Sequence, residues 1–148
     1  MKKIIIACDH GGLELKNEII AHLKKRGIET VDIGTYTADS CNYPDYAIAL
    51  CKRIQSGEFE RGVLVCGTGI GMSIVANKHK GIRAACCSDI FSAEMTRRHN
   101  DSNVLCLGGR VIGSEIACKM VDLFVDTEFE GGRHIERLKM IDDIEEQN

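Results

Sequence analysis

Two rhythms of apolar residues alternate along this chain. Short runs rich in Ile, Val, Leu, Ala and Cys recur at residues 3–8, 28–33, 63–66, 82–87 and 104–107. The run at residues 63–65 suits a strand buried on both faces, and the other runs also read as strands. Between them the apolar positions fall three or four residues apart. Leu15, Ile19 and Leu23 predict a helix over 13–26, with Gly27 at its end. Tyr46, Leu50 and Ile54 mark the buried face of a helix that Pro44 can open and Gly57 ends. Further helices are predicted over 72–80, 91–100 and 114–126. A last helix runs from about Arg133 to Gln147, with Ile135, Leu138, Ile141 and Ile144 roughly on one face. Five strands alternating with helices predict an α/β fold, a parallel sheet with helices on both faces.

The length of 148 residues suits a single domain, 1–148, with a real core. A net charge of −3 and no long basic run argue against nucleic acid and anionic membranes as partners. No apolar run approaches the roughly 18 residues of a membrane span, and Asp9 and His10 cut the first run too short for a signal peptide. The eight cysteines include no C-x-x-C pair, so zinc and thioredoxin-type sites lack support. Most lie inside apolar runs, as expected of small core residues in a reducing cytoplasm.

The richest chemistry lies between Gly62 and Ser73. An apolar strand runs into Cys66, and Gly67, Gly69 and Gly71 then alternate with Thr68 and Ile70 before a helix begins. A glycine loop at a helix N-terminus offers backbone N–H groups to an anion, or to an oxygen gaining charge during reaction. Such an end also favours thiolate over thiol at Cys66. The plainer alternative is a buried strand cysteine followed by a tight turn. Neither the P-loop nor the dinucleotide fingerprint fits the G-x-G-x-G spacing.

In parallel sheets ligands bind beyond the carboxyl ends of the strands. Asp9-His10, Cys66 with its loop, and Gly108-Gly109-Arg110 all follow strands, and Tyr43 closes the loop after the second strand. His99 and Asn100 end a helix that runs back to the opposite edge. They are either surface residues or part of a neighbouring subunit's site. Arg133 and Arg137 share a helix face, which suits either a phosphate or an exposed basic surface flanking Glu136.

Together, Asp9-His10-Gly11-Gly12, Asn42-Tyr43-Pro44-Asp45-Tyr46-Ala47, Cys66-Gly67-Thr68-Gly69-Ile70-Gly71, Asn77-Lys78, Gly81-Ile82-Arg83-Ala84, Arg98-His99-Asn100-Asp101, Gly109-Arg110-Val111-Ile112-Gly113 and Glu130-Gly131-Gly132-Arg133-His134 resemble the type B ribose-5-phosphate isomerase family. The galactose-6-phosphate isomerase subunits share that family. The resemblance runs along the whole chain. It implies a Rossmann-like three-layer αβα sandwich with an extra C-terminal helix, and a homodimer or homotetramer without metal or cofactor. The implied activity is aldose–ketose isomerisation of D-ribose 5-phosphate and D-ribulose 5-phosphate, in the non-oxidative branch of the pentose phosphate pathway.

By the same resemblance Cys66 is the base, Thr68 assists ring opening, and His99 opens the sugar ring from the partner subunit. Asp9, His10, the loop Gly67, Thr68, Gly69, Ile70 and Gly71, Asn100, Arg110, Arg133 and Arg137 contact substrate, and Tyr43 lines the sugar pocket. Some relatives use a loop glutamate as base; here Cys66 is present and Ser73 is not acidic, so the cysteine type applies. Allose or galactose 6-phosphate is the alternative substrate. A non-catalytic module binding nucleotide or phosphate is the alternative of another class.

Overall fold

The computed structural model describes residues 3–148; Met1 and Lys2, which open the expected domain, lie outside them. Strands β1 (Lys3–Cys8), β2 (Glu29–Asp32), β3 (Gly62–Cys66), β4 (Ala84–Cys86) and β5 (Val104–Gly108) form one parallel sheet in the order β2-β1-β3-β5-β4. Helices α1 (Leu13–Lys25), α2 (Tyr43–Gln55), α3 (Ile70–Ala76), α4 (Ile90–Asn100), α5 (Ser114–Asp126) and α6 (Arg133–Glu146) connect and cover them. Among the described residues no helix is long and apolar enough to cross a membrane.

Alternation along the central strands divides the core. Ile4, Ile6 and Cys8 face one way and pack with Leu15, Ile19 and Leu23 of α1 and with Met120, Val121 and Phe124 of α5. Ile5 and Ala7 face the other way, among Leu50, Cys51 and Ile54 of α2 and Met72 and Ala76 of α3. The result is the Rossmann-like three-layer sandwich. The chain turns from β1 out to β2, then returns past β1 to β3, so the direction of winding reverses between β1 and β3. That reversal opens a crevice at their carboxyl ends. Because β5 inserts between β3 and β4, its own carboxyl end adjoins the same crevice.

Two expectations are corrected. The third helix spans 70–76 rather than 72–80. It starts early because Gly69, at φ +82°, turns the chain straight into it. It stops early because the Asn77 side chain bonds both the N–H and the carbonyl of Ala84. Strand β4 is three residues rather than six: Arg83 and Asn103 bond each other before the ladder begins, and Cys86 is exposed at this sheet edge. The apolar stripe of α6 lies largely outside the core. Leu138 is buried, but Ile135, Ile141 and Ile144 are exposed, as is Met140.

Candidate active site

Cys66 ends β3, buried and pointing into the crevice floor with α2 and α3. Its Sγ accepts the Gly69 N–H at 3.1 Å. Thr68 Oγ1 accepts the Ile70 N–H at 3.2 Å, and Thr68 itself is exposed. The amides of Thr68 and Gly71 find no acceptor within the described chain. They remain available to an oxygen above the loop. The fit is tight: a Cβ at Gly71 would lie 2.6 Å from the Tyr43 ring. Tyr43, half-exposed in the first turn of α2, therefore walls the loop on one side.

Neighbouring strands complete this edge. The Asp9 carboxylate accepts the N–H groups of Gly11 and Gly12 at 2.9 and 3.2 Å through one oxygen. Its other oxygen makes no bond among the described residues. His10 Nδ1 accepts the Cys41 N–H at 3.3 Å. With Nδ1 accepting, a neutral ring carries its proton on Nε2 and can donate from there. From β5, Gly109 N–H bonds the Cys66 carbonyl at 2.8 Å and Arg110 N–H bonds the Gly67 carbonyl at 3.0 Å. The Arg110 guanidinium lies over Gly67, exposed and without an ion pair among the described residues. Lys16 anchors the loop leading to Cys41 and Tyr43. It is fully buried, with Nζ donating to Asp32 Oδ1 at 2.7 Å and to the Thr35 carbonyl at 2.6 Å.

His99, Asn100, Arg133 and Arg137 are not brought to this edge. Arg83 precedes β4, at the amino ends of the strands, and its Nε donates to the Asn100 carbonyl at 2.9 Å. A strand of five residues puts about 16 Å between that end of the sheet and the Cys66 end. At this far corner His99 stacks on His134 of α6, with ring centroids 4.5 Å apart and planes 19° apart. Arg133 and Arg137 stand on the same helix, both exposed and without ion pairs among the described residues. The site residues thus fall into two groups, one at each edge of the sheet.

The family described as ribose/galactose isomerase matches residues 4–141. The chain belongs to the ribose/galactose isomerase family. Ribose-5-phosphate isomerase B of Escherichia coli (strain K12) is 48% identical over 147 residues, covering 99% of each chain. The structure of Clostridium thermocellum ribose-5-phosphate isomerase B matches with a TM-score of 0.96 at 49% identity, over 98% of both chains. That of ribose-5-phosphate isomerase B from Mycoplasma genitalium, with bound ribulose-5-phosphate, matches at 0.93 and 38% identity, over 99% of this chain and 97% of that one.

In this ribose/galactose isomerase chain burial governs four of the other thiols. Burial pushes Cys8 and Cys87 up to about 11 and Cys51 up to about 12, and raises Cys106 well above the usual thiol range. These are packing residues that stay protonated at neutral pH. All eight cysteines are free. His99, Glu130 and His134 bring possible ligand atoms within 4.8 Å of one another. They do not fit a metal ion well. Imidazole binds through a lone pair in its ring plane, about 2 Å from the ion. An ion shared by two stacked rings would sit well outside both planes.

Sequence reasoning gave no role to His134, Cys41 or Lys16. His134 stood beside Arg133 in a recognised motif, which was the available signal. The contacts of Cys41 with His10 and of Lys16 with Asp32 cross 31 and 16 residues, and no periodicity marks them.

Proposed function

We propose that the chain is an aldose–ketose isomerase interconverting D-ribose 5-phosphate and D-ribulose 5-phosphate through an enediolate. The carrying observation is Cys66 beneath amide donors, in a crevice walled by His10, Tyr43 and Arg110. Its relatives' activity supports the choice of sugar.

With the sugar open, Cys66 as thiolate takes the proton from C2. The C–H electron pair becomes the C1–C2 double bond, and the C1 carbonyl oxygen becomes an oxyanion. The loop amides stabilise that charge. The proton on O2 passes to O1, and Cys66 returns its proton to C1, leaving a ketone at C2. One base reaching two adjacent carbons suffices. Before this the furanose must open: the anomeric hydroxyl loses a proton and the ring oxygen gains one as the C1–O4 bond breaks. His99 and Thr68 take this step, His99 from a neighbouring subunit. His10 and Arg110 meet the substrate from the Cys66 side with Asp9, and Asn100 reaches the sugar hydroxyls from the neighbouring subunit. Arg133 and Arg137 share a corner with His99 in this structure. In our reading they too come from the neighbour, and they hold the phosphate.

A neighbour is required because His99 stands an entire sheet away from its own Cys66. The exposed stripe of Ile135, Met140, Ile141 and Ile144 on α6, with Phe91 on α4 and Ile70 and Ile74 on α3, offers apolar surface for such a homodimer or tetramer. Eight free thiols suit a cytoplasmic enzyme.

The test is initial rates on ribose 5-phosphate, allose 6-phosphate and galactose 6-phosphate, with Cys66→Ala alongside. We expect ribose 5-phosphate to dominate and Cys66→Ala to lower its turnover about 10²–10⁴-fold while substrate still binds. A faster hexose phosphate would keep the chemistry and change the substrate. No turnover of any of the three would refute the enzyme reading.

A further inference from the structure

We infer that His134 is a positioning residue for His99, fixing the plane of the imidazole that opens the sugar ring. The inference rests on the ring-opening role of His99 proposed above. A histidine ring rotates broadly about its last side-chain torsion. An acid–base histidine must nevertheless hold one in-plane nitrogen on the reacting oxygen. Among the described residues no hydrogen bond holds the His99 ring. Its aromatic contact is the face of His134, 4.5 Å away and 19° from parallel. A stack of this kind fixes the plane yet occupies neither nitrogen, so both stay free to exchange protons.

His134 is itself well fixed. It is 7% exposed, with the Phe129 ring tilted against it at 6.4 Å. The Glu130 carboxylate lies 3.6 Å from its Nε2 and 3.4 Å from the Arg98 guanidinium, and the Glu130 N–H donates to the Arg98 carbonyl at 3.1 Å. Arg98 immediately precedes His99, so the loop before α6 grips the last turn of α4 on both sides of the stack. On α6 His134 follows Arg133, one turn before Arg137. One short stretch therefore carries the phosphate anchors and also sets the ring-opening histidine. The distance between phosphate and ring oxygen is built into the contact of α4 with α6.

Two substrates separate positioning from general damage. Ribose 5-phosphate is a furanose and must be opened. Its 4-deoxy analogue lacks the ring-forming hydroxyl and stays open. His134→Ala is expected to lower kcat on ribose 5-phosphate about 10–100-fold, with KM little changed, and to leave the open analogue within about 2-fold. His134→Phe, which keeps a flat face and has no nitrogen, is expected to restore most of the loss. Three results would overturn the inference: no loss in His134→Ala, an equal loss on both substrates, or a loss in His134→Phe as deep as in His134→Ala. The last would make the His134 nitrogen a proton carrier. His99→Asn on the same pair checks the underlying reading. If it lost both substrates equally, ring opening would not belong to His99. If it were selective and His134→Ala were not, the positioning role alone would fall.

Discussion

The loop beneath Cys66 and the corner around His99 are built by different means. At the Cys66 edge main chain holds main chain. Gly109 and Arg110 bond the carbonyls of Cys66 and Gly67, Gly69 bonds the sulfur, and buried strands lie underneath. At the His99 corner side chains do the holding: Arg97 to Asp101 and the Ser102 carbonyl, Arg98 to Glu94 and Glu130, and the His99–His134 stack. A proton-abstracting base and its oxyanion donors need sub-ångström constancy, which a sheet edge supplies. Groups proposed to meet a substrate across a subunit boundary need reach and charge, which exposed helix ends supply. The difference predicts how each half fails.

The largest effect should follow a single methyl group in the rigid half. Gly71→Ala drives a Cβ to 2.6 Å from Tyr43 and shifts the loop amides. We expect kcat/KM to fall about 100-fold, and Tyr43→Ala in the same chain to recover part of it. A normal rate for Gly71→Ala would show that the loop is not tightly walled. In the other half Arg133→Ala should act on binding instead. KM should rise about 10-fold with kcat nearly kept, and the melting temperature should hold because this side chain is exposed and bears no ion pair among the described residues. A fall in kcat with KM unchanged would place Arg133 in the chemistry rather than the anchor.

The smallest effect belongs to the core that carries both halves. Cys51 titrates near 9 when unfolded and at about 12 when folded, raised by burial. Above pH 9 the unfolded thiol loses its proton first, so the unfolded state binds fewer protons and stability falls as pH rises. This contribution is complete below pH 9 and lost between about 9 and 12. Melting curves over that range should fall less steeply in Cys51→Ala, even though that variant starts less stable. An identical slope would contradict the burial argument.

The same contrast explains what the sequence disclosed. Main-chain features left local marks. β1 spans the residues its apolar run predicted, α5 matches at both ends, and the glycine spacing announced a loop between a strand and a helix start. The strand order did not show, because whether β5 inserts between β3 and β4 depends on long-range pairing that no local pattern encodes. The α6 stripe told only of a shared face, since an apolar helical face reads alike whether it meets the core or solvent. His99 and Asn100 were read as belonging to the far edge from helix length alone, and the fold puts them there. The stack on His134 escaped, being a contact between side chains 35 residues apart.

The account stands or falls on a site shared between subunits. Cys66→Ala and His99→Asn chains, each nearly inactive on ribose 5-phosphate, can be reassorted in equal amounts. In a two-fold pair, half the assemblies become mixed, and each mixed pair holds one intact site, so about a quarter of the native rate should return. No recovery above the sum of the two separate variants would contradict the shared site, and with it the role given to the far corner.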